Sequence, residues 1–230
     1  MERIIVIGDG GIGQSFAHFC EESGKNTFLL GRNYSIGEIP KSLNLNLDNS
    51  TSFQQIAEFV ASNKIDTLVN TLGILHHDNH FPEKTISQLE PDWLFENLKI
   101  NCFSSLLILK YLNQYLPAAS QFKFVALSAR VGSIADNHLG GWISYRVSKA
   151  ALNMGLKTAA IEWKHKFRNA VIAAYHPGTV DTKLSKPFQA NIKSIFTPQQ
   201  ASAYLYDFID HLHPAMSGGF YAWNKERIPY

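Results

Sequence analysis

An α/β fold, doubly wound around a parallel sheet of seven strands and forming a single domain over residues 1–230, is what this sequence predicts. Three observations carry that expectation. Seven short apolar runs alternate with stretches whose apolar residues recur at three- and four-residue spacing, the pattern of a sheet covered by helices on both faces. A glycine-rich turn follows the first run directly. With 230 residues, 45% of them hydrophobic, the chain can bury one full core.

Taken in order, the runs at Ile4 to Ile7, Thr27 to Leu30, Leu43 to Leu47, Thr67 to Val69, Phe122 to Leu127, Val171 to Tyr175 and Gly219 to Trp223 predict strands. Between them, Ile12 to Ser23, Ser52 to Ala61, Asp92 to Leu116, Tyr145 to Phe167 and Pro198 to His211 carry the spacing of amphipathic helices. The link from Arg32 to Ser42 contains Gly37 and Pro40 and keeps little helical pattern, so it is expected to be loop or a short turn. The expected strand order is 3-2-1-4-5-6-7, with a ligand across the carboxyl ends of the strands at the switch between the first and the fourth.

Charge and composition narrow the partners. Twenty-one Lys plus Arg against 19 Asp plus Glu, with no basic run, leaves no stripe that would track a phosphate backbone, and nucleic acid is not expected. No apolar run approaches the roughly 20 residues that span a bilayer. The first strand begins at once, without a charged leader and long apolar stretch, so a cytoplasmic protein is expected. Cys20 and Cys102 lie in helical patterns, where a thiol behaves as a small hydrophobe, and C-x-x-C is absent.

The first chemical motif is Gly8-Asp9-Gly10-Gly11-Ile12-Gly13, a G-x-G-x-x-G that closes a strand and opens a helix. Its glycines permit a tight turn and a close backbone approach to a pyrophosphate, and the free N–H groups of the helix start attract that anion. At the end of the second strand, where an acidic residue would grip a ribose 2′-hydroxyl, stands Arg32. A planar cation suits a 2′-phosphate, so NADP is favoured over NAD. A solvated loop arginine is the alternative.

Tyr145 and Lys149 stand four residues apart in a helical pattern, which places them on one face. Nine tyrosines and 15 lysines would produce about 0.6 such pairs by chance, so the spacing gains meaning only from its helix. Tyr221 and Lys225 share the interval in a strand and turn pattern. A phenol is a poor acid-base catalyst at neutral pH unless a nearby cation stabilises the phenolate, and Lys149 can supply one.

With these pieces in order, the chain resembles the short-chain dehydrogenase/reductase family, and within it the C-factor-like and sniffer-like carbonyl reductases. The resemblance runs almost end to end. It includes Leu47-Asp48, Asn70-Thr71-Leu72-Gly73, Ile100-Asn101, Leu127-Ser128-Ala129-Arg130-Val131-Gly132-Ser133, Gly140-Gly141-Trp142-Ile143-Ser144-Tyr145 and His176-Pro177-Gly178-Thr179-Val180-Asp181-Thr182. It implies a Rossmann fold and reversible hydride transfer between NADP(H) and a carbonyl or alcohol. Tyr145 would be the general acid or base, and Lys149 would lower its pKa and hold the nicotinamide ribose. Asn101 would hold a water linking Lys149 to solvent, Asp48 would meet the adenine, and a serine after the fifth strand would bond the substrate oxygen. Gly8, Gly10, Gly11, Ile12 and Gly13 with Asn70 and Gly73 would surround the nucleotide, and Pro177, Gly178, Val180 and Thr182 would cradle its nicotinamide end. A homodimer or homotetramer is the expected assembly.

Three departures from the family pattern stand out. The glycine turn is one residue shorter than T-G-x-x-x-G-x-G, with Ile7 where a threonine is usual; Thr71-Leu72 replaces Asn-Ala; and the S-x-x-G spacing, counted back from Gly132, lands on Ala129. Ser128 is favoured for the missing hydroxyl, with Ser133 as the alternative.

Other features are weighed and set aside. The cluster His76-His77-Asp78-Asn79-His80 has no cysteine and no i, i+4 histidine pair, so no metal is expected. Ser128 is not within G-x-S-x-G, which excludes a nucleophile elbow. Trp93, Phe95 and Trp163 are most simply core or interface packing. Two rival classes remain beside the enzyme: a nucleotide-binding sensor of the same fold without turnover, which Ala129 favours, and a structural partner that binds no cofactor.

Overall fold

The computed structural model describes residues 1–32, 35–39, 43, 45–77, 80–190 and 192–230. Seven strands form one sheet in the order β3-β2-β1-β4-β5-β6-β7. They are β1 (Arg3–Ile7), β2 (Asn26–Leu30), β3 (Ser35–Ile36), β4 (Thr67–Asn70), β5 (Lys123–Leu127), β6 (Val171–His176) and β7 (Gly219–Ala222). Six run parallel, each crossover supplied by the chain that covers the sheet.

Because side chains alternate across a strand, β1 sends Ile4 and Val6 to one core and Ile5 and Ile7 to the other. Helices α1 (Gly11–Glu22) and α6 (Pro198–Asp210) close the first core with Phe16, Cys20, Leu205 and Phe208. Helices α2 (Ser50–Ser62), α4 (Ser104–Tyr115) and α5 (Ile143–Lys166) close the second with Phe53, Ile108, Leu112 and Leu152. Burial on both faces is why the strands read as continuous apolar runs rather than alternating ones. Cys20 and Cys102 are free and buried, and burial pushes their thiols up to about 12 and about 11.

The third strand differs from expectation. Leu43, Leu45 and Leu47 alternate as in a half-buried strand, but none of them is in a ladder; Leu43 and Leu45 are buried in the second core as irregular chain, and Asn44 lies outside the described residues. The sheet edge is instead Ser35–Ile36, antiparallel to β2 within the link expected to be loop. Alternation reports which side chains are buried, and here burial comes without backbone pairing. The helix expected over Asp92 to Leu116 is also interrupted. It comprises α3 (Pro91–Leu98), a π-helical turn at Lys99–Phe103, and α4. Trp93 and Trp163 are buried, whereas Phe95 is exposed.

Among the described residues no helix is long and apolar enough to cross a membrane.

Candidate active site

The glycine turn sits where β1 hands the chain to α1, at the strand flanked by β2 on one side and β4 on the other. Gly8 has φ +106°, which a side chain would strain, and its N–H donates to Leu30 O (2.9 Å). A Cβ at Gly13 would lie 2.0 Å from Gly8 O, so that glycine lets the helix start close over the strand end. Gly10, the residue capping α1, offers no side-chain bond to the first-turn N–H groups, and a Cβ there would meet nothing within 4 Å among the described residues. The helix start therefore presents open donors to a cavity, the arrangement that binds anions.

That cavity measures about 690 Å³. Along it the structure brings together Gly10, Gly11, Ile12, Gly13 and Gly73 with Ser128, Tyr145, Lys149, Pro177, Gly178, Val180 and Thr182. Thr182 faces Gly11 closely enough that a Cβ on the glycine would meet its Cγ2 at 2.9 Å, so the chain after β6 closes one wall.

Lys149 is 3% exposed and donates from Nζ to Leu127 O (2.8 Å). Its ammonium stands 5.7 Å from the centroid of the Tyr145 ring. Burial pulls the lysine down to about 8 and pushes the Tyr145 phenol up. Burial is the cause of both shifts, each group being disfavoured in its charged form. The phenol keeps its proton at neutral pH, which suits donation to an oxygen that is gaining charge.

The start of α5 that carries Tyr145 is held from a distance. Glu83, itself buried, accepts bonds from Ser144 N (3.2 Å) and from Ser144 Oγ, and its backbone oxygen accepts from Trp142 N (2.5 Å). An anion at a helix N-terminus is worth about 0.3–2 kcal/mol. Trp142, at φ +53°, turns the chain into the helix, and its ring packs on Tyr145 and on Phe188 at 6.4 and 5.0 Å. His76 and Phe81 extend this aromatic wall. None of these was singled out as a site residue from sequence: Glu83 meets Ser144 across 61 residues, and Trp142 and Phe188 come together from separate loops.

Other expected residues stand differently. Asn101 lies on the π-helical turn and clamps the loop after β4: its Oδ1 accepts from Ile74 N (2.8 Å), and its Nδ2 donates to Ile74 O (2.9 Å) and Ser148 Oγ (3.0 Å). A Cβ at Gly73 would lie 3.4 Å from Asn101 Oδ1 and 3.7 Å from Lys149 Nζ, which sets the three side by side. Asn70 is buried and donates to Ser105 Oγ (2.7 Å) while its Oδ1 accepts from Leu72 N (3.1 Å), a loop-shaping role away from the cavity wall. Asp48 is exposed and paired with Lys99, and Arg32 is exposed beyond β2; neither lines the cavity.

The two serines are separated by the geometry. Ser133 is buried, accepts from Asp136 N (3.1 Å) and is not on the cavity wall. Ser128 is on it, but its hydroxyl donates to Asn153 Oδ1 of α5 (2.7 Å). Ala129 lines the cavity beside it. His176, at the end of β6, also lines it; burial lowers its pKa to about 4, and its Nδ1 has no partner among the described residues. Of the histidine cluster, His77 and His80 pair through their backbones and His76 meets Lys183 O, while Asp78 and Asn79 lie outside the described residues.

Comparison with known proteins places this geometry. Residues 2–193 match the family model described as short chain dehydrogenase. The 1-hydroxy-2-glutathionyl-2-methyl-3-butene dehydrogenase of Rhodococcus sp. (strain AD45) is 28% identical over 229 residues, covering 96% of each chain. The C-signal of Myxococcus xanthus is 33% identical over 104 residues, covering 45% of this chain and 58% of that protein. In fold, the chain is similar over its whole length to the carbonyl reductase Sniffer of D. melanogaster, at TM-score 0.81 and 18% identity, covering 100% of both chains. A glycine turn opening a helix under a doubly wound sheet, a tyrosine and lysine one helical turn apart beside it, and a family match over most of the sequence lead to one conclusion: the chain belongs to the short chain dehydrogenase family.

Proposed function

We propose that this protein is an NADP(H)-dependent oxidoreductase, a single domain over residues 1–230 that interconverts a small carbonyl and its alcohol. The observation that carries the reading is that Tyr145 and Lys149 share one cavity with the open helix start at Gly10. The residues present fit a dinucleotide: the glycine turn leaves room for a pyrophosphate, and Gly73, Pro177, Gly178, Val180 and Thr182 line the same cavity. The bound nicotinamide would supply the hydride.

Tyr145 donates its proton to the substrate oxygen, or removes it in the reverse direction. Lys149, when charged, stabilises the phenolate left behind, and the N–H groups not bound to Leu127 O would hold the nicotinamide ribose. Proton transfer of this kind contributes about 10²- to 10⁴-fold in rate. Asn101 holds Gly73 and the loop after β4 against Lys149. Ser128, rather than Ser133, supplies the second bond to the substrate oxygen by turning its hydroxyl from Asn153. Arg32, exposed just past β2, would pair with the 2′-phosphate. The aromatic wall of Trp142 and Phe188 favours apolar, flat substrates.

Two further parts of the reading concern surroundings. Val147, Met154 and Ile161 recur every seven residues along α5 and are exposed at 43%, 67% and 55%, beside exposed Phe103. An apolar stripe of this length supports self-association into a homodimer or homotetramer. Two buried free thiols support a cytoplasmic setting. The test of function is a fluorescence titration with NADPH, followed by a panel of aromatic and aliphatic carbonyls watched for loss of NADPH absorbance. Binding with turnover is expected; binding without turnover on any of them would favour a sensor, and no binding would remove the nicotinamide reading.

A further inference from the structure

Gly31 follows the last residue of β2 and precedes Arg32, in the stretch from which an acidic side chain reads the ribose hydroxyl in NAD-selective sites. It has no side chain, but the space one would take is filled. A Cβ at Gly31 would fall 2.2 Å from Asp9 Cβ, 2.3 Å from Asp9 Cγ and 2.7 Å from Asp9 Oδ2. A carboxylate thus reaches the β1–β2 strand ends from the glycine turn instead of from β2. Its backbone is held in place: Gly8 N donates to Leu30 O (2.9 Å), and Gln14 Nε2 donates to Asp9 O (2.7 Å). Asp9 also lines the cavity, which Arg32 does not.

From this juxtaposition we propose that Asp9 is a cofactor-selecting residue that opposes Arg32, so that the site accepts NADH alongside NADPH. The inference rests on the nicotinamide reading above. A carboxylate accepts a bond from a ribose hydroxyl and repels a phosphate at the same carbon, whereas an arginine attracts that phosphate. One comes from the turn after β1 and the other from the end of β2. The balance between cofactors follows from this opposed pair rather than from Arg32 alone. Gly31 is then required as glycine, because any side chain would displace the carboxylate.

The test is a pair of fluorescence titrations, with NADPH and with NADH, at low ionic strength on the wild-type protein and on Asp9→Asn. The amide matches the carboxylate in size, removes its charge and exchanges one acceptor oxygen for an N–H donor. The ratio of the NADH to the NADPH dissociation constant should rise by about tenfold or more, from tighter NADPH and weaker NADH. Raising the salt concentration should shrink that change. A ratio unchanged by the substitution, with both nucleotides still bound, overturns the role of Asp9. A wild-type protein that binds neither nucleotide overturns the nicotinamide reading itself.

Discussion

Replacing Gly10 by alanine separates a ligand-binding glycine from a structural one. Gly10 has φ −71° and ψ 175°, a conformation open to any residue, and a Cβ there would meet nothing within 4 Å among the described residues. The folded state loses only cap quality at α1, a few tenths to about 1 kcal/mol. Restricting the unfolded chain offsets roughly 0.4–1 kcal/mol of that. At about 2–4 °C per kcal/mol for a chain of this size, the melting temperature should move by less than roughly 4 °C. With no described residue in the way of the new methyl, what it would strike is a bound pyrophosphate. Losing one charge-assisted bond at about 1.5–3 kcal/mol corresponds to roughly 10- to 150-fold weaker NADPH binding. Gly13→Ala is the contrast: its Cβ would sit 2.0 Å from Gly8 O, so the turn itself must shift and both melting temperature and affinity should fall. Thermal melts and fluorescence titrations on the two variants decide the matter. Gly10→Ala with NADPH affinity within about threefold of wild type would refute the argument.

Three other outcomes follow from the site. Lys149 is pulled to about 8 by burial, below its ordinary 10.5. Its folded form therefore disfavours the charge, a cost present in full below pH 8 and removed as pH rises toward 10.5. Thermal melts should show wild type gaining on Lys149→Met across that window, and a pH-independent gap would contradict the burial. Ser128→Ala should lower turnover on the order of 10²-fold, whereas Ser133→Ala, off the cavity wall, should affect mainly stability; steady-state kinetics beside melts would expose the reverse. Met154→Asp should place a charge in the exposed stripe of α5 and give monomers in sedimentation, and an unchanged assembly would discount that face.

Much of the fold was legible because both cores depend on one sheet. Apolar runs such as Ile4 to Ile7 and Val171 to Tyr175 mark strands buried on both faces, and the glycine turn marks the cavity mouth. Leu43 to Leu47 misled because alternating burial does not require a ladder, and the true edge, Ser35–Ile36, is too short to leave a pattern. The π-helical turn at Lys99–Phe103 keeps helical periodicity on both sides, so nothing local betrays it. In the site, Tyr145, Lys149 and the glycines were visible as spaced motifs. Glu83, Trp142 and His176 were not, since their roles come from distant contacts: Glu83 reaches Ser144 across 61 residues. Asp9 was in plain view as the unnamed x of the motif, but only its position over Gly31 gives it meaning.

The central claim is that Tyr145 moves the proton, and Tyr145→Phe isolates that atom. The ring stays to pack on Trp142, and the ammonium of Lys149 stays 5.7 Å from where the ring centroid lies. Turnover of a carbonyl that the wild-type protein reduces, measured beside the NADPH dissociation constant, should fall by about 10²-fold or more while that constant barely changes. A Tyr145→Phe protein that turns over at the wild-type rate would contradict the account even with the fold correct.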